Sequence, residues 1–345
     1  MKHQASSNNA DFKGNVTQLS WQLKLFVAAL QVVDRLAPAV ATQLMLSKFV
    51  SPRRKPDCDY TSRLPAGARR VVVDHNQTAL TAWAWGEKGP ALLVVHGWES
   101  HTGRMLPLIK PLVEQGYRVV ALDAPGHGMS PAAQTDLLDV SYAVQAALAQ
   151  HGPFDGVISH SFGAAATAVA LARAPHLAPG KVVLLSPMRD LEQHTEIFAG
   201  IAHLSPEGTE RLKARVAERV GMPLARCGAV TAVRAFERPG LVIHDRHDLL
   251  IPYAVGQAVA ENWRGARFVG TDKLGHRRGL GNAAVITHIL DYLARDSANE
   301  SGAQTVLRVV NAGRKAGRRV HARRAGRLAP PTAVVYNRQA DFGQV

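Results

Sequence analysis

Residues 157–166 read VISHSFGAAA. A β-branched pair enters the stretch, Ser161 stands between His160 and Phe162, and three alanines leave it. A strand that stops at a serine and resumes as a helix of small residues is the context of a nucleophile held on a tight strand-to-helix turn. Such a turn has room only for small side chains two residues before and two after the nucleophile, places taken here by Ser159 and Gly163. Ala164, Ala165 and Ala166 then let the helix lie close to the sheet. Its amino end points at Ser161 and favours negative charge there. The same residues also fit an ordinary start to an alanine-rich helix. The choice depends on whether the chain supplies a base, an acid and two oxyanion donors in a workable order.

Outward from this stretch, the texture is one of short apolar runs separated by helical patterns. Strands are expected at Arg70–Asp74, Leu80–Trp85, Ala91–His96, Arg118–Asp123, Gly156–His160, Lys181–Ser186, Leu241–His244 and Arg267–Gly270. The later runs are continuously apolar, as in strands buried on both faces of a parallel sheet. Helical segments near 103–115, 135–150, 162–174, 253–263 and 282–295 alternate with them. Alternation of this kind predicts an α/β fold, a doubly wound and mostly parallel sheet. One gap is too long for a simple crossover. Pro187 to Pro239 carries helical stretches at Leu191–Ile201 and Pro206–Val220, an insertion expected over the carboxyl ends of the strands, where such sheets bind ligands.

The ends of the chain differ from this middle. Residues 1–18 are polar; from Leu19 the apolar positions mark one face of a helix that Pro38 ends, and a second helix is expected over 39–49. These form a helical arm on the main domain, although Trp21, Leu23, Phe26 and Leu30 leave a membrane-surface or partner-binding use open. The formal charge of +14 is concentrated at the other end. Residues 301–345 hold nine lysines and arginines against Asp341 alone, so eight of the fourteen excess charges lie there. The expected organisation is therefore an arm over 1–60, an α/β domain over 61–298 with a small helical cap at 187–238, and a basic, disordered tail over 299–345.

Four motifs together resemble the α/β-hydrolase superfamily over roughly residues 68–295: SHSFG at the turn, VVHGW after one strand, ALDAPGHGMS after the next, and the late pair IHDRHDLLIP and LGHRR. In that superfamily an acid follows the serine and a histidine comes last. The resemblance implies a serine hydrolase of the esterase type, acting through an acyl-enzyme, with Ser161 as nucleophile, Asp248 as acid and His276 as base. Asp245 competes with Asp248, because it stands where relatives usually have glycine; its other reading is a turn-capping side chain. The backbone N–H groups of Trp98 and Phe162 are the implied oxyanion donors. The Trp98 indole would either contact the substrate or pack its loop. His96, His127, His160 and Asp123 are read as supports.

Other chemistries lose support. A serine at the turn excludes an aspartate nucleophile. No GxGxxG, GxxxxGK[ST] or HExxH occurs, and Cys58 and Cys227 lie in no CxxC or Cys/His cluster, so no cofactor, metal or disulfide framework is expected. No apolar run approaches the ~20 residues of a membrane-spanning helix, and no signal peptide is expected, which makes a reducing, cytoplasmic setting the default. The expected partner is a small-molecule acyl substrate, with non-specific polyanion contact through the tail. A different class stays open: a catalytically idle α/β-hydrolase-fold protein whose tail binds nucleic acid or acidic partners. Acyl transfer, peptidase and thioesterase activity also stay open, because fold does not dictate substrate.

Overall fold

In the computed structural model, residues 21–53, 60–295 and 306–308 are described. Two helices, α1 (Trp21–Leu36) and α2 (Pro38–Val50), precede a sheet whose strands are β1 (Arg69–His75), β2 (Thr78–Trp85), β3 (Ala91–Val95), β4 (Arg118–Leu122), β5 (Gly156–His160), β6 (Lys181–Leu185), β7 (Leu241–Asp245), β8 (Arg267–Thr271) and β9 (Val306–Arg308). Their spatial order is β1-β2-β4-β3-β5-β6-β7-β8-β9. Only the β1–β2 and β2–β4 pairings are antiparallel. From β4 through β9 every pairing is parallel.

The parallel strands are apolar throughout because both faces are covered. Leu93 and Val95 of β3 join one core cluster, while Leu92 and Val94 join the other. The helices α4 (Leu137–His151), α5 (Phe162–Arg173) and α8 (Tyr253–Asn262) supply the first cluster. The second takes α3 (Thr102–Glu114) and α9 (Ala283–Leu293). Every expected strand and helix of this body is found within a residue or two of its expected place.

Between β6 and β7 lie α6 (Leu191–Ile201) and α7 (Pro206–Val220), at the bounds their sequence marks. Asp190 caps α6 by accepting from the Gln193 N–H. Ser205 caps α7 by accepting from Gly208, with Pro206 in the first turn and Gly221 left-handed beyond the last.

The arm packs on these inserted helices rather than on the sheet alone. Asp34, buried on α1, takes a 2.6 Å ion pair from Arg211 of α7 and a 2.8 Å hydrogen bond from the Ser205 hydroxyl. Phe49 of α2 meets Phe198 edge-on at 5.2 Å. Of the residues on which the membrane-surface or partner-binding alternative rests, Leu30 is buried against the core, and the side chains of Trp21, Leu23 and Phe26 lie outside what the structure describes.

One expectation needs correction. The segment from 299 carries no core periodicity and reads as a disordered tail, yet Val306–Arg308 pairs in parallel with Phe268–Gly270 of β8. Three residues suffice for an edge ladder, and its backbone hydrogen bonds leave no hydrophobic pattern to read. The rest of the tail, residues 1–18 and Cys58 lie outside the described residues. Among the described residues no helix is long and apolar enough to cross a membrane.

The Asp34 clasp should be measurable. Arg211→Ala leaves a buried carboxylate without its cation and should cost about 1–3 kcal/mol in urea unfolding. Lys213→Ala, whose carboxylate partners Glu192, Glu196 and Glu210 are largely exposed, should cost less than about 1 kcal/mol. Equal costs would contradict the clasp.

Candidate active site

Ser161 closes β5 and opens α5 with its backbone at φ +58°, ψ −121°. A non-glycine residue held there is strained by about 1–3 kcal/mol and persists only where its surroundings over-determine it. They do so here. The Ser161 N–H donates to the Leu185 carbonyl at 2.9 Å, and the Ser161 carbonyl accepts from Ala164 and Ala165 of α5 and from Met188 after β6. Gly163 is obligatory, because a Cβ there would stand 2.0 Å from the His96 carbonyl oxygen. Gly97 lets the HGW loop come close as well: its Cβ would meet the Ser161 Cβ at 3.0 Å.

His276 lies in the short helical turn Gly275–Arg278 after β8. Its Nε2 is 2.9 Å from the Ser161 hydroxyl, and its Nδ1 is 2.7 Å from Asp248 Oδ2. Asp248 is buried, and its other oxygen accepts from the Leu250 and Ile251 N–H groups, each at 2.9 Å. Burial alone would raise its carboxyl pKa. Hydrogen bonds from His244 and His276 outweigh that and hold it well below the usual range.

Asp245 does a different job. One oxygen accepts from the Thr271 hydroxyl and the Leu274 N–H, the other from the His247 and Gly275 N–H groups. It ties the end of β7 to the loop that carries His276 and makes no contact with the imidazole among these bonds. The turn-capping reading of Asp245 thus describes its place, and Asp248 is the carboxylate at the ring.

Among the described residues, His160, His96 and Asp123 bond to the loops around the site. His160 Nε2 lies 2.9 Å from the His276 carbonyl oxygen, and the two rings pack at 4.7 Å with their planes tilted by 48°. Burial, with the neighbouring His276, brings His160 down to about 3. His96 Nε2 accepts from the Ala124 N–H at 3.1 Å, tying the HGW loop to the end of β4; its Nδ1 is 2.7 Å from the Gly97 carbonyl. Asp123 accepts from the Thr102 and Met129 N–H groups and from the Tyr60 hydroxyl. The Trp98 indole packs on Phe162 at 4.9 Å and on His127 at 5.1 Å.

Ser161, His276, Trp98 and Phe162 open onto a cavity of about 750 Å³. Phe162 is the first residue of α5, where leading N–H groups have no intrahelical acceptor. The cavity also takes in Met188, His194, Ile197 and Ile201 from the insertion, and Arg63, Arg104, Arg277 and Arg278. Apart from Arg277 and Arg278, which fall in the LGHRR motif, these residues carry no local sequence signal; helix periodicity assigns α6 a face without saying what that face covers. Among the described residues no group of three or more His, Cys, Asp or Glu side chains could hold a metal.

Topology, strained serine turn and histidine-bearing loop define an α/β-hydrolase. The chain belongs to the hydrolase family described as serine aminopeptidase, S33, whose sequence profile matches residues 86–267. It is 27% identical over 241 residues to the pimeloyl-[acyl-carrier protein] methyl ester esterase of Xanthomonas campestris, covering 59% of this chain and 94% of that one. It is 31% identical over 111 residues to a serine hydrolase-like protein of Dictyostelium discoideum, a match spanning 28% of this chain and only 29% of that protein. Among solved structures, Est1E from Butyrivibrio proteoclasticus with ferulic acid bound superposes with a TM-score of 0.54 at 19% identity, over 65% of this chain and all of that one. An esterase from Rhodococcus sp. gives 0.53 at 18%, over 66% and 98%. Both share the fold.

Histidines enclosed in the fold contribute to its acid stability. Burial lowers His96 and His194 to about 4 and His127 and His160 to about 3, against ~6.5 in an unfolded chain. Below pH ~6.5 the unfolded chain takes up protons that the folded one refuses, so stability is full above that value and falls as pH drops toward 4. Urea midpoints should therefore decline steadily from pH 7 to 4.5. A flat profile there would show that these rings are charged in the fold.

Proposed function

We propose that this protein hydrolyses a carboxylic ester, or a closely related acyl compound, through an acyl-enzyme on Ser161. The observation that carries this reading is the hydrogen-bonded line from the Ser161 hydroxyl through His276 to Asp248, anchored on a strained turn and open to a cavity. Kinship to an ester-cleaving protein supports it.

In the first half, His276 Nε2 takes the hydroxyl proton as the Ser161 oxygen attacks the carbonyl carbon. The oxyanion is received by the Trp98 and Phe162 N–H groups, and the positive end of α5 adds to that field. Asp248, ionised, holds the Nδ1–H tautomer and stabilises the imidazolium. Collapse of the intermediate expels the alcohol, which takes its proton from His276. Water then repeats the sequence on the acyl-serine: His276 removes its proton, the C–O bond to Ser161 breaks, and the serine recovers the proton. The inserted helices α6 and α7 act as the cap, and Met188, Ile197 and Ile201 receive the acyl chain.

A fluorophosphonate should label Ser161 and nothing else, with labelling lost in Ser161→Ala. Turnover of p-nitrophenyl esters in that variant should drop by ~10⁴–10⁶. Labelling of another serine, or retained activity, would remove the assignment. Asp248→Asn should keep the fold and cut turnover by ~10⁴, because the imidazole loses its orienting partner. Asp245→Asn should cost far less turnover and show chiefly as a lowered melting temperature. The reverse ranking would overturn the two roles.

A further inference from the structure

Helix α6 reads LEQHTEIFAGI, and its faces go to different places. Leu191, Thr195 and Ala199, spaced four apart, are buried, and the Thr195 hydroxyl is satisfied within the helix by the Leu191 carbonyl at 2.7 Å. Gln193, His194, Ile197 and Ile201 recur at helical spacing and line the cavity that holds Ser161. This lining changes character along the helix. Its first turn is polar and the remainder is apolar.

The polar end lies beside the nucleophile. The segment that leads into α6 is bonded to the serine turn, since the Met188 N–H donates to the Ser161 carbonyl at 3.3 Å. The His194 ring packs against Phe162, the residue after the nucleophile, at 6.0 Å, and against Phe49 of α2 at 5.3 Å. Ile201 stands seven residues later, about 10 Å along the helix axis, and is half exposed.

The polar end is also uncommitted. Among the described residues, no protein group hydrogen-bonds the Gln193 side-chain amide or the His194 imidazole; the bond from Gln193 to Asp190 uses its backbone N–H. Desolvation lowers His194 to about 4, so near neutrality the ring is uncharged and presents one N–H donor and one nitrogen acceptor. Its two aromatic neighbours restrict how the ring can turn, which keeps that pair of sites at a set place in the wall. A hydroxyl, which both donates and accepts, is the small group that matches it.

We infer that His194, with Gln193 beside it, binds a hydroxyl on the acyl part of the substrate, a few carbons from the scissile carbonyl and ahead of an apolar chain that runs along Ile197 and Ile201. The preferred substrate is then a hydroxyacyl ester. The inference rests on the acyl-enzyme reading above and on the acyl chain lying along α6. His194 sets specificity and takes no part in bond breaking. Water cleaves the acyl C–O bond to give the hydroxy acid and the alcohol, and the hydroxyl on the chain is unchanged.

The test compares methyl octanoate with each enantiomer of methyl 3-hydroxyoctanoate, which share a leaving group and a chain length. In the full-length protein, kcat/KM for at least one hydroxy ester should exceed that for the plain ester by about fivefold or more, the scale of one neutral hydrogen bond. His194→Phe keeps an aromatic ring and deletes both nitrogens, so it should bring the hydroxy-to-plain ratio close to one. His194→Gln restores a donor and an acceptor and should recover part of the ratio, an effect that a purely packing role would not produce. Scoring each variant by its ratio removes any general loss of activity and the intrinsic reactivity of the two esters. His194→Leu replaces the Phe variant if that ring does not fit. Calorimetric titration with the free acids gives a readout independent of turnover: 3-hydroxyoctanoate should bind several-fold more tightly than octanoate, and the difference should vanish in His194→Phe. A wild-type ratio below twofold for both enantiomers, a preference that survives loss of the imidazole, or equal binding of the two acids would overturn the inference. If no ester is cleaved while the hydroxy acid still binds more tightly through His194, the hydroxyl site stands and the hydrolytic reading falls.

Discussion

The backbone of Ser161 is held where almost every side chain but glycine is unwelcome, and much of the surrounding structure can be understood as what keeps it there. The strain places the hydroxyl above the carboxyl end of the sheet, aimed away from both the strand and the helix it joins. Holding it requires the neighbouring strand β6 and the loop that follows it to present a carbonyl and an N–H at the right height, as Leu185 and Met188 do. It also requires a glycine at 163, so that α5 can press against the His96 carbonyl. Loss of any one of these would let the turn relax to an ordinary helix start, and the hydroxyl would swing away from His276.

The imidazole is positioned by an equally divided effort. Asp248 orients the ring, Asp245 fastens the loop beneath it, His244 steadies Asp248 at 3.3 Å, and His160 holds the His276 carbonyl. Three of these four supports come from the end of β7 or just past it. A single strand end therefore governs both the charge beside the ring and the path of the loop that carries it.

The sheet was legible because β-branched runs bounded by Gly, Pro and Asp leave little doubt about strands buried on both faces, as at Lys181–Leu185 and Arg267–Thr271. The inserted helices were equally plain, since Asp190, Ser205-Pro206 and Gly221 punctuate them. Ser161, Asp248 and His276 could be picked out because each closes a strand or follows one within a short loop, and the structure brings all three together. What could not be read was anything that depends on distant segments meeting. The ties from Asp245 to Thr271, Leu274 and Gly275 span some thirty residues. The arginines that line the cavity come from three separate segments, and β9 needs only backbone hydrogen bonds. Local pattern carries no trace of such contacts.

Phe49 sits at the far end of a run of rings. It packs on His194 at 5.3 Å, His194 on Phe162 at 6.0 Å, and Phe162 on Trp98, the two last being residues that flank the nucleophile. The width of the chamber above Ser161 is thus set partly by a helix more than one hundred residues earlier in the chain. Exchanging bulk at position 49 would shift the chamber's wall and leave every sheet residue unchanged. The arm thus reaches the wall of the chamber through a relay of rings, apart from the strand ends that carry Ser161, Asp248 and His276.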